Sequence, residues 1–264
     1  MAKAFGTKLN RLEHDLPEGL IVDAAWLTGK GYSASLRNQY VASGWLEKPA
    51  HTVFRRPRGT IGWEQVVISL QLLLNKQLVV GGRTALELQG YSHYLAKAYS
   101  EIHLYGPKRP PAWINDLELD VRFVAHNSAR LFPEQDDRLH QSKDTVTLPW
   151  GQWKWPMVLS SPERAILELL GELPAHESFH QVDKLFEGLS ALSPRRVQPL
   201  LETCRSVKVK RLFFFYADRH SHAWLKHLDK SAVDLGSGKR KLIDGGRLDL
   251  TYQITVPEDL DGVR

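Results

Sequence analysis

The chain has 264 residues, of which 42% are hydrophobic and 25% charged, and these globular proportions exclude a disordered, collagen-like or disulfide-rich protein. The formal net charge is +5, and the single cysteine, Cys204, has no partner for an internal disulfide, which favours a reducing, cytoplasmic location. No apolar run approaches the ~20 residues of a membrane span, and the first residues lack the apolar core of a signal peptide.

The first sixty residues are divided into short elements by glycine and proline. Leu9, Leu12 and Leu16 form a helical stripe that Pro17 ends. An N-cap aspartate at 23 predicts a short helix over 24–28, followed by the Gly-Lys-Gly turn at 29–31. An N-cap serine at 33 predicts a third helix over 34–42, with Gly44 just beyond its end. Two strands are expected at 45–47 and 51–55, around a turn at 48–50. The order of these elements is that of a winged helix-turn-helix.

The third of these helices has the side chains of a DNA-reading helix. Leu36 and Tyr40 are four residues apart and are expected to face the core. The opposite face carries residue types that contact base edges in the major groove: Ser33, Ser35, Arg37, Asn38 and Gln39. The wing supplies candidates for phosphate or minor-groove contacts: Arg55, Arg56 and Arg58. A helical protein-contact domain with a solvated polar face is the alternative interpretation.

The rest of the chain predicts a mixed α+β domain. Helices are expected at 63–74, 83–88, 161–170, 179–189, 194–204 and 223–228. Strands are expected at 79–80, 101–105, 117–124, 145–148, 152–157, 207–216 and 248–256. The predicted division is an N-terminal domain over 1–94, with its winged-helix core at about 7–58, and a C-terminal domain over 95–264.

Positive charge is concentrated near both ends of the chain. Residues 1–60 contain nine Lys and Arg against five Asp and Glu, and residues 205–241 contain ten against three. The predicted strand 207–216 would display its cations at one end, giving a possible second basic surface of Arg205, Lys208, Lys210 and Arg211. This surface would bind phosphates, carry another activity of the C-terminal domain, or simply be solvated.

Several patterns invite an enzymatic interpretation. The run 176–180 satisfies H-E-x-x-H, but Pro174 places it at the start of a helix, where a zinc hydrolase needs an established helix. Asp116, Glu118 and Asp120 would alternate along a strand, as in a nuclease, yet no lysine follows an acidic residue at a spacing of two. The glycine-rich run 235–240 lacks the other residues of a phosphate loop. We therefore predict no catalytic residue, no cofactor and no bound metal.

Nearly the whole chain resembles the AbiEi family of type IV antitoxins and transcriptional regulators. The resemblance rests on the runs GLIVDAAWLTGKGYSASLRNQYVASGWLEKP, WEQVVISLQLLL, VVGGRTALELQGY, LSSPERAILELL, SVKVKRLFFFYADRHSHAWLKHLD and IDGGRLDLTYQITVPE. It implies a bacterial, non-enzymatic protein whose winged helix represses its own operon through inverted repeats. It also implies a C-terminal domain that counters a nucleotidyltransferase-type toxin without forming a stable complex.

Overall fold

The computed structural model describes residues 2–91, 99–133 and 142–261. The fold is α+β, as predicted, with a winged helix-turn-helix followed by a mixed domain. The elements of the N-terminal part are α1 (Ala2–Asp15), β1 (Ile21–Asp23), α2 (Ala24–Gly29), α3 (Ala34–Ala42), β2 (Glu47–Ala50) and β3 (Val53–Arg55).

The helix boundaries of the winged region follow the local signals in the sequence. The Asp23 carboxylate accepts from the Trp26 N–H at 2.8 Å, and the Ser33 hydroxyl accepts from the Leu36 N–H at 3.3 Å. Each cap satisfies an N–H group that has no partner within its helix. Gly31 has a φ of +88°, a left-handed conformation that glycine adopts without a steric penalty. Both predicted N-caps are therefore confirmed.

The wing differs from the prediction in its register. The turn lies at His51 and Thr52 instead of residues 48–50, so both strands are shifted along the chain. Strand β1, which the sequence analysis did not predict, pairs with β3 and completes a sheet of order β1-β3-β2. Pairing with β1 buries Val53 and Phe54, and this tertiary contact is invisible to a local reading of the turn.

The remaining elements build the second part of the molecule. The helices are α4 (Trp63–Ile68), continued by a π-helical turn (Ser69–Leu73), α5 (Gly82–Leu88), α6 (Pro162–Glu172), α7 (Phe179–Gly188), α8 (Pro194–Thr203) and α9 (Val207–His220). The strands are β4 (Val79–Val80), β5 (Glu101–Gly106), β6 (Arg122–Asn127), β7 (Thr145–Trp150), β8 (Trp155–Ser160), β9 (Arg247–Asp249) and β10 (Ile254–Val256).

A mixed five-stranded sheet of order β6-β5-β4-β8-β7 organises this part. Strands β5 and β6 are parallel, as are β4 and β8, whereas β7 and β8 form an antiparallel hairpin. Strand β4 belongs to the middle of this sheet although it precedes residue 94. The predicted domain boundary between residues 94 and 95 lies outside the described residues and stays a prediction.

Two contacts fix the winged region to the sheet. The Ile21 N–H in β1 donates to the Ser69 hydroxyl at 2.9 Å, so the π-helical turn beside the sheet closes the edge of β1. Gly19 has a φ of +86°, and a Cβ atom there would lie only 3.0 Å from the ring of Trp155 in β8. Glycine at position 19 therefore allows the loop after α1 to lie directly against the sheet.

The predicted strand at 207–216 is wrong, because these residues form the first part of α9. Ser206 caps this helix by accepting from the Val209 N–H at 3.3 Å. Residues 209–217 are all buried, with α6, α7 and β10 packed around them. A helix that is buried on all sides lacks the polar face from which the helical period of 3.6 residues is recognised. Its continuous apolar run therefore resembles that of a buried strand.

Smaller differences concern the ends of the sheet. The strand expected at 117–124 is β6, which begins only at Arg122, and the one expected at 152–157 is β8, which begins at Trp155. The strand expected at 248–256 is the hairpin of β9 and β10, and the helix expected at 223–228 is a 3-10 turn, Leu225–His227. Turns interrupt each of these apolar patterns, and their positions depend on tertiary packing.

Candidate nucleic-acid interface

One face of α3 is exposed and polar, and the opposite face packs into the winged region. Tyr40 is fully buried and Leu36 is half-buried against the core, as their spacing predicted. The exposed side chains along the helix are those of Ser33, Ser35, Asn38 and Gln39. Amide and hydroxyl groups on one exposed helical face can donate to and accept from base edges in a major groove.

Two buried tyrosines hold α3 against the preceding elements. Tyr32 and Tyr40 have ring centroids 6.3 Å apart, and the Tyr32 hydroxyl donates to the Lys8 carbonyl of α1 at 3.2 Å. Burial raises the pKa of both hydroxyls, so both remain protonated at neutral pH. The polar face of α3 therefore lies opposite a buried face that is packed and hydrogen-bonded.

Arg37 does not belong to that exposed face. Its Nη1 atom donates to the Thr28 hydroxyl at 2.7 Å and to the Tyr32 carbonyl at 2.7 Å. Its guanidinium also lies over the Phe54 ring of β3, 5.8 Å from the ring centroid. Arg37 thus joins α2, the turn, α3 and the wing, and the guanidinium is occupied within the protein.

Replacing Arg37 is consequently expected to destabilise the winged region. Arg37→Ala leaves the Tyr32 carbonyl and the Thr28 hydroxyl without their charged donor, which should cost about 1.5–3 kcal/mol of unfolding free energy. Urea denaturation measures this loss. Arg11→Ala is the control, because Arg11 is 64% exposed on α1 and its change should cost less than about 0.5 kcal/mol. Equal stability of the two variants would contradict the structural role of Arg37.

The three arginines of the wing have different surroundings. Arg55 pairs with Glu47 across the hairpin, with Nη2 and Oε2 2.6 Å apart, and donates to the Gly59 carbonyl at 2.8 Å. Arg56 binds Glu18 at 3.1 Å and thereby joins the wing to the loop after α1. Arg58 is 81% exposed and lies only 3.5 Å from Glu18 at its nearest approach. Of the predicted wing arginines, Arg58 is the most accessible to a phosphate.

Two further residues extend the accessible surface of the winged region. Lys48 is exposed on β2, where the sequence analysis expected a turn, and Trp45 is 44% exposed just after α3. The shifted register of the wing explains why Lys48 was not predicted as a contact. The sequence shows Lys48 only as a basic residue within a predicted hairpin, which does not by itself predict a contact with DNA.

The predicted second basic surface does not form as expected. Lys210 and Arg211 are buried in α9, with 5% and 3% of their surface exposed. The Lys208 ammonium donates to the carbonyls of Gly171 and Leu173 at 2.7 Å each, at the end of α6. Arg205 is exposed, yet its Nη1 atom donates to the Ala129 carbonyl at 2.9 Å. Because this segment is helical and central, most of its cations serve contacts within the protein.

The patterns considered for enzymes are separated by the fold. His176 and Glu177 lie in the turn before α7, whereas His180 lies within that helix and approaches Asp259, so H-E-x-x-H does not occupy one helix. The three nuclease candidates, Asp116, Glu118 and Asp120, lie outside β6 in a 3-10 turn and a loop. The run 235–240 directs three carbonyls toward Arg211, unlike a phosphate loop, whose N–H groups face the ligand.

Two histidines that the sequence analysis did not single out meet on neighbouring strands. His103 of β5 and His126 of β6 stack with ring centroids 4.9 Å apart. Burial lowers the pKa of His103, and burial together with the adjacent His103 and His176 lowers that of His126 to about 4. Both rings are therefore neutral at neutral pH. The two histidines meet only because β5 pairs with β6, and no local sequence motif predicts their contact.

The first part of the chain is a winged helix-turn-helix whose third helix has an exposed polar face. Family models match almost the whole chain: the AbiEi antitoxin N-terminal domain of transcriptional regulators over residues 6–97, and the transcriptional regulator, AbiEi antitoxin of type IV toxin–antitoxin systems, over residues 99–257. The chain belongs to the AbiEi antitoxin family.

Comparison with solved structures supports the same fold. The crystal structure of the RV2827C protein from Mycobacterium tuberculosis is similar, with a TM-score of 0.55 and 17% sequence identity, over 93% of this chain and 88% of that chain. No curated protein matches the chain. Within residues 2–91, 99–133 and 142–261, the helices are too short or too polar to cross a membrane.

Proposed function

We propose that this chain is the antitoxin and autorepressor of a type IV toxin–antitoxin operon. The winged helix would bind inverted repeats upstream of its own operon, and the C-terminal domain would counter a nucleotidyltransferase-type toxin without a stable complex. The observation that carries the DNA-binding part is the exposed face of α3, where Ser35, Asn38 and Gln39 project from a helix anchored by Arg37. The antitoxin part rests on membership of the family.

The docking that we propose assigns base contacts and phosphate contacts to different elements. The amides of Asn38 and Gln39 suit the edge of adenine, and the Ser35 hydroxyl suits several bases. Arg58 and Lys48 would neutralise backbone phosphates beside the groove. Arg55 and Arg56 would support the wing from within, because both pair with carboxylates and only 19% of each side chain is exposed, whereas 81% of Arg58 is exposed.

Two assays test the two halves of this proposal. DNase footprinting on the chain's own upstream region should give two protected half-sites in inverted orientation, and co-expression with the neighbouring toxin should restore growth. A chain that protects no site and binds the upstream DNA no better than random DNA would be a protein-contact scaffold. Nicking of supercoiled plasmid with Mg²⁺ or Mn²⁺ would favour the nuclease interpretation.

The salt dependence of DNA binding distinguishes Arg58 from its neighbours. Arg58→Ala should weaken binding to operator and random DNA alike, and should reduce the slope of log K against log salt by about one unit. Fluorescence anisotropy between about 50 and 200 mM salt measures the affinities and the slope. Arg195→Ala, at an exposed arginine of α8 that is not predicted to contact DNA, should leave the slope unchanged. An unchanged slope for Arg58→Ala would remove the wing from the interface.

A further inference from the structure

A cluster of three histidines and two glutamates lies at the edge of the five-stranded sheet. Strand β5 contributes Glu101 and His103, and β6 contributes His126. Glu172 ends α6, and His176 follows in the turn before α7. Within the part of the chain that the structure describes, these five residues make up the groups of side chains close enough together to hold a metal ion.

A hydrogen bond joins the two stacked histidines. Nε2 of His126 lies 3.0 Å from Nδ1 of His103, so one of these two nitrogens carries the shared proton. On the other side of the His126 ring, Nδ1 lies 3.2 Å from the Glu172 carboxylate, which accepts from the Tyr105 hydroxyl at 2.8 Å. In the tautomer in which His103 donates from Nδ1, the lone pair of its Nε2 atom is available to a metal ion.

Two other potential ligands lie on the Nε2 side of the His103 ring. Nε2 of His103 lies 3.6 Å from Oε2 of Glu101, and Nδ1 of His176 lies 3.5 Å from the same oxygen. Bound to a metal ion, His103 and His176 would both be neutral and would present these nitrogen lone pairs to it. Ligands about 2.1 Å from a tetrahedral zinc ion lie about 3.4 Å from one another, which is close to the distances of the two nitrogen atoms from the Glu101 oxygen.

The surroundings of the cluster keep one side open and hold the ligands in place. His176 and Glu101 are 39% and 32% exposed, so an ion could enter from solvent and retain a water molecule. The backbone N–H of His176 donates to the Glu172 carbonyl at 3.0 Å, and the next residue, Glu177, pairs with Arg83. The backbone on both sides of His176 along the chain is thus held by contacts within the protein.

We propose that Glu101, His103 and His176 bind a divalent transition-metal ion, with Zn²⁺ as the reference ion. His126 and Glu172 would act behind His103, as positioning residues that fix its tautomer and ring orientation. Two imidazoles, one carboxylate and an open position form a ligand set that suits zinc and also iron(II). This inference departs from the sequence-based expectation of no metal, and it does not depend on the proposed binding of DNA.

Titration of the full-length, EDTA-treated protein with Zn²⁺ by calorimetry tests the site. We expect one ion per chain, and at least tenfold weaker binding for Glu101→Gln and for His176→Gln, because each loses one of three ligands. His180→Gln is the matched control: His180 is the other histidine of the H-E-x-x-H run and is 40% exposed, like His176. Its affinity for Zn²⁺ should equal that of the unchanged protein.

The positioning role of His126 has its own readout. His126→Gln should weaken Zn²⁺ binding by about 10–100-fold while the stoichiometry stays at one ion per chain. The visible spectrum of bound Co²⁺ should still report imidazole and carboxylate ligands in this variant. Absence of a one-to-one Zn²⁺ complex would overturn the proposal. So would equal affinities of the unchanged protein, Glu101→Gln and His176→Gln, or equal losses in His176→Gln and His180→Gln.

Discussion

The double variant Asn38→Ala, Gln39→Ala is expected to lose about 2–6 kcal/mol of binding free energy on operator DNA, because each well-placed amide contributes about 1–3 kcal/mol of base discrimination. Its affinity for random DNA should change by less than about twofold, since neither amide is assigned to a phosphate. Both side chains are exposed on α3, and alanine favours a helix, so the fold should be retained.

Fluorescence anisotropy on operator and scrambled duplexes measures the two affinities at one salt concentration. The double variant Asn10→Ala, Gln152→Ala is a matched control, because it removes one exposed Asn from α1 and one exposed Gln from the turn before β8. It should bind the operator as tightly as the unchanged protein. If the affinities of the Asn38→Ala, Gln39→Ala variant for operator and random DNA fall equally, α3 contacts the DNA backbone instead of the bases.

Arg211→Ala is expected to cost about 2–4 kcal/mol of unfolding free energy, which would be the largest stability effect predicted for this chain. Its guanidinium donates to the carbonyls of Leu235, Gly236 and Gly238 at 2.6–3.0 Å. A longer bond of 3.3 Å reaches the carbonyl of Gln253 beside β10. Removal of the guanidinium leaves these carbonyls without a donor and detaches the loop 235–238 from α9.

Urea denaturation followed by circular dichroism gives the loss of stability for Arg211→Ala. Lys239→Ala is the control, because Lys239 is an exposed cation in the same basic turn, and its change should cost less than about 0.5 kcal/mol. Arg211→Lys should recover part of the stability, since an ammonium can donate to fewer of these carbonyls than a guanidinium can. If Arg211→Ala and Lys239→Ala are equally stable, the loop does not depend on the buried arginine.

The winged region could be predicted well because its boundaries have local causes. An aspartate or serine at an N-cap, a glycine at positive φ and a proline after a helix act on their immediate neighbours. The first two signals located α2 and α3 from residues within a few positions of each boundary. Strand β1 was missed because its three residues become a strand only by pairing with residues 53–55 of β3, far away along the chain.

The candidate site shows where inference from residue types stops. Arg37 and Asn38 are adjacent polar residues on α3, and both suit a base edge by type. Their roles differ because Arg37 is long enough to reach back to Thr28 and Tyr32, whereas the shorter Asn38 remains exposed. Lys210 and Arg211 were predicted as surface cations for the same reason. Only the packing of α9 reveals that they are buried.

The attachment of the winged region to the sheet has a consequence for how its specificity can evolve. Ser69 accepts a hydrogen bond from β1, and Gly19 packs against Trp155. A recombination point just after the wing would therefore separate residues that contact one another. Under the proposed docking on DNA, exchange of the whole winged region between relatives would have to carry both sides of this junction. New operators would therefore be acquired more readily by point substitutions along α3, which leave the junction intact, than by recombination of modules.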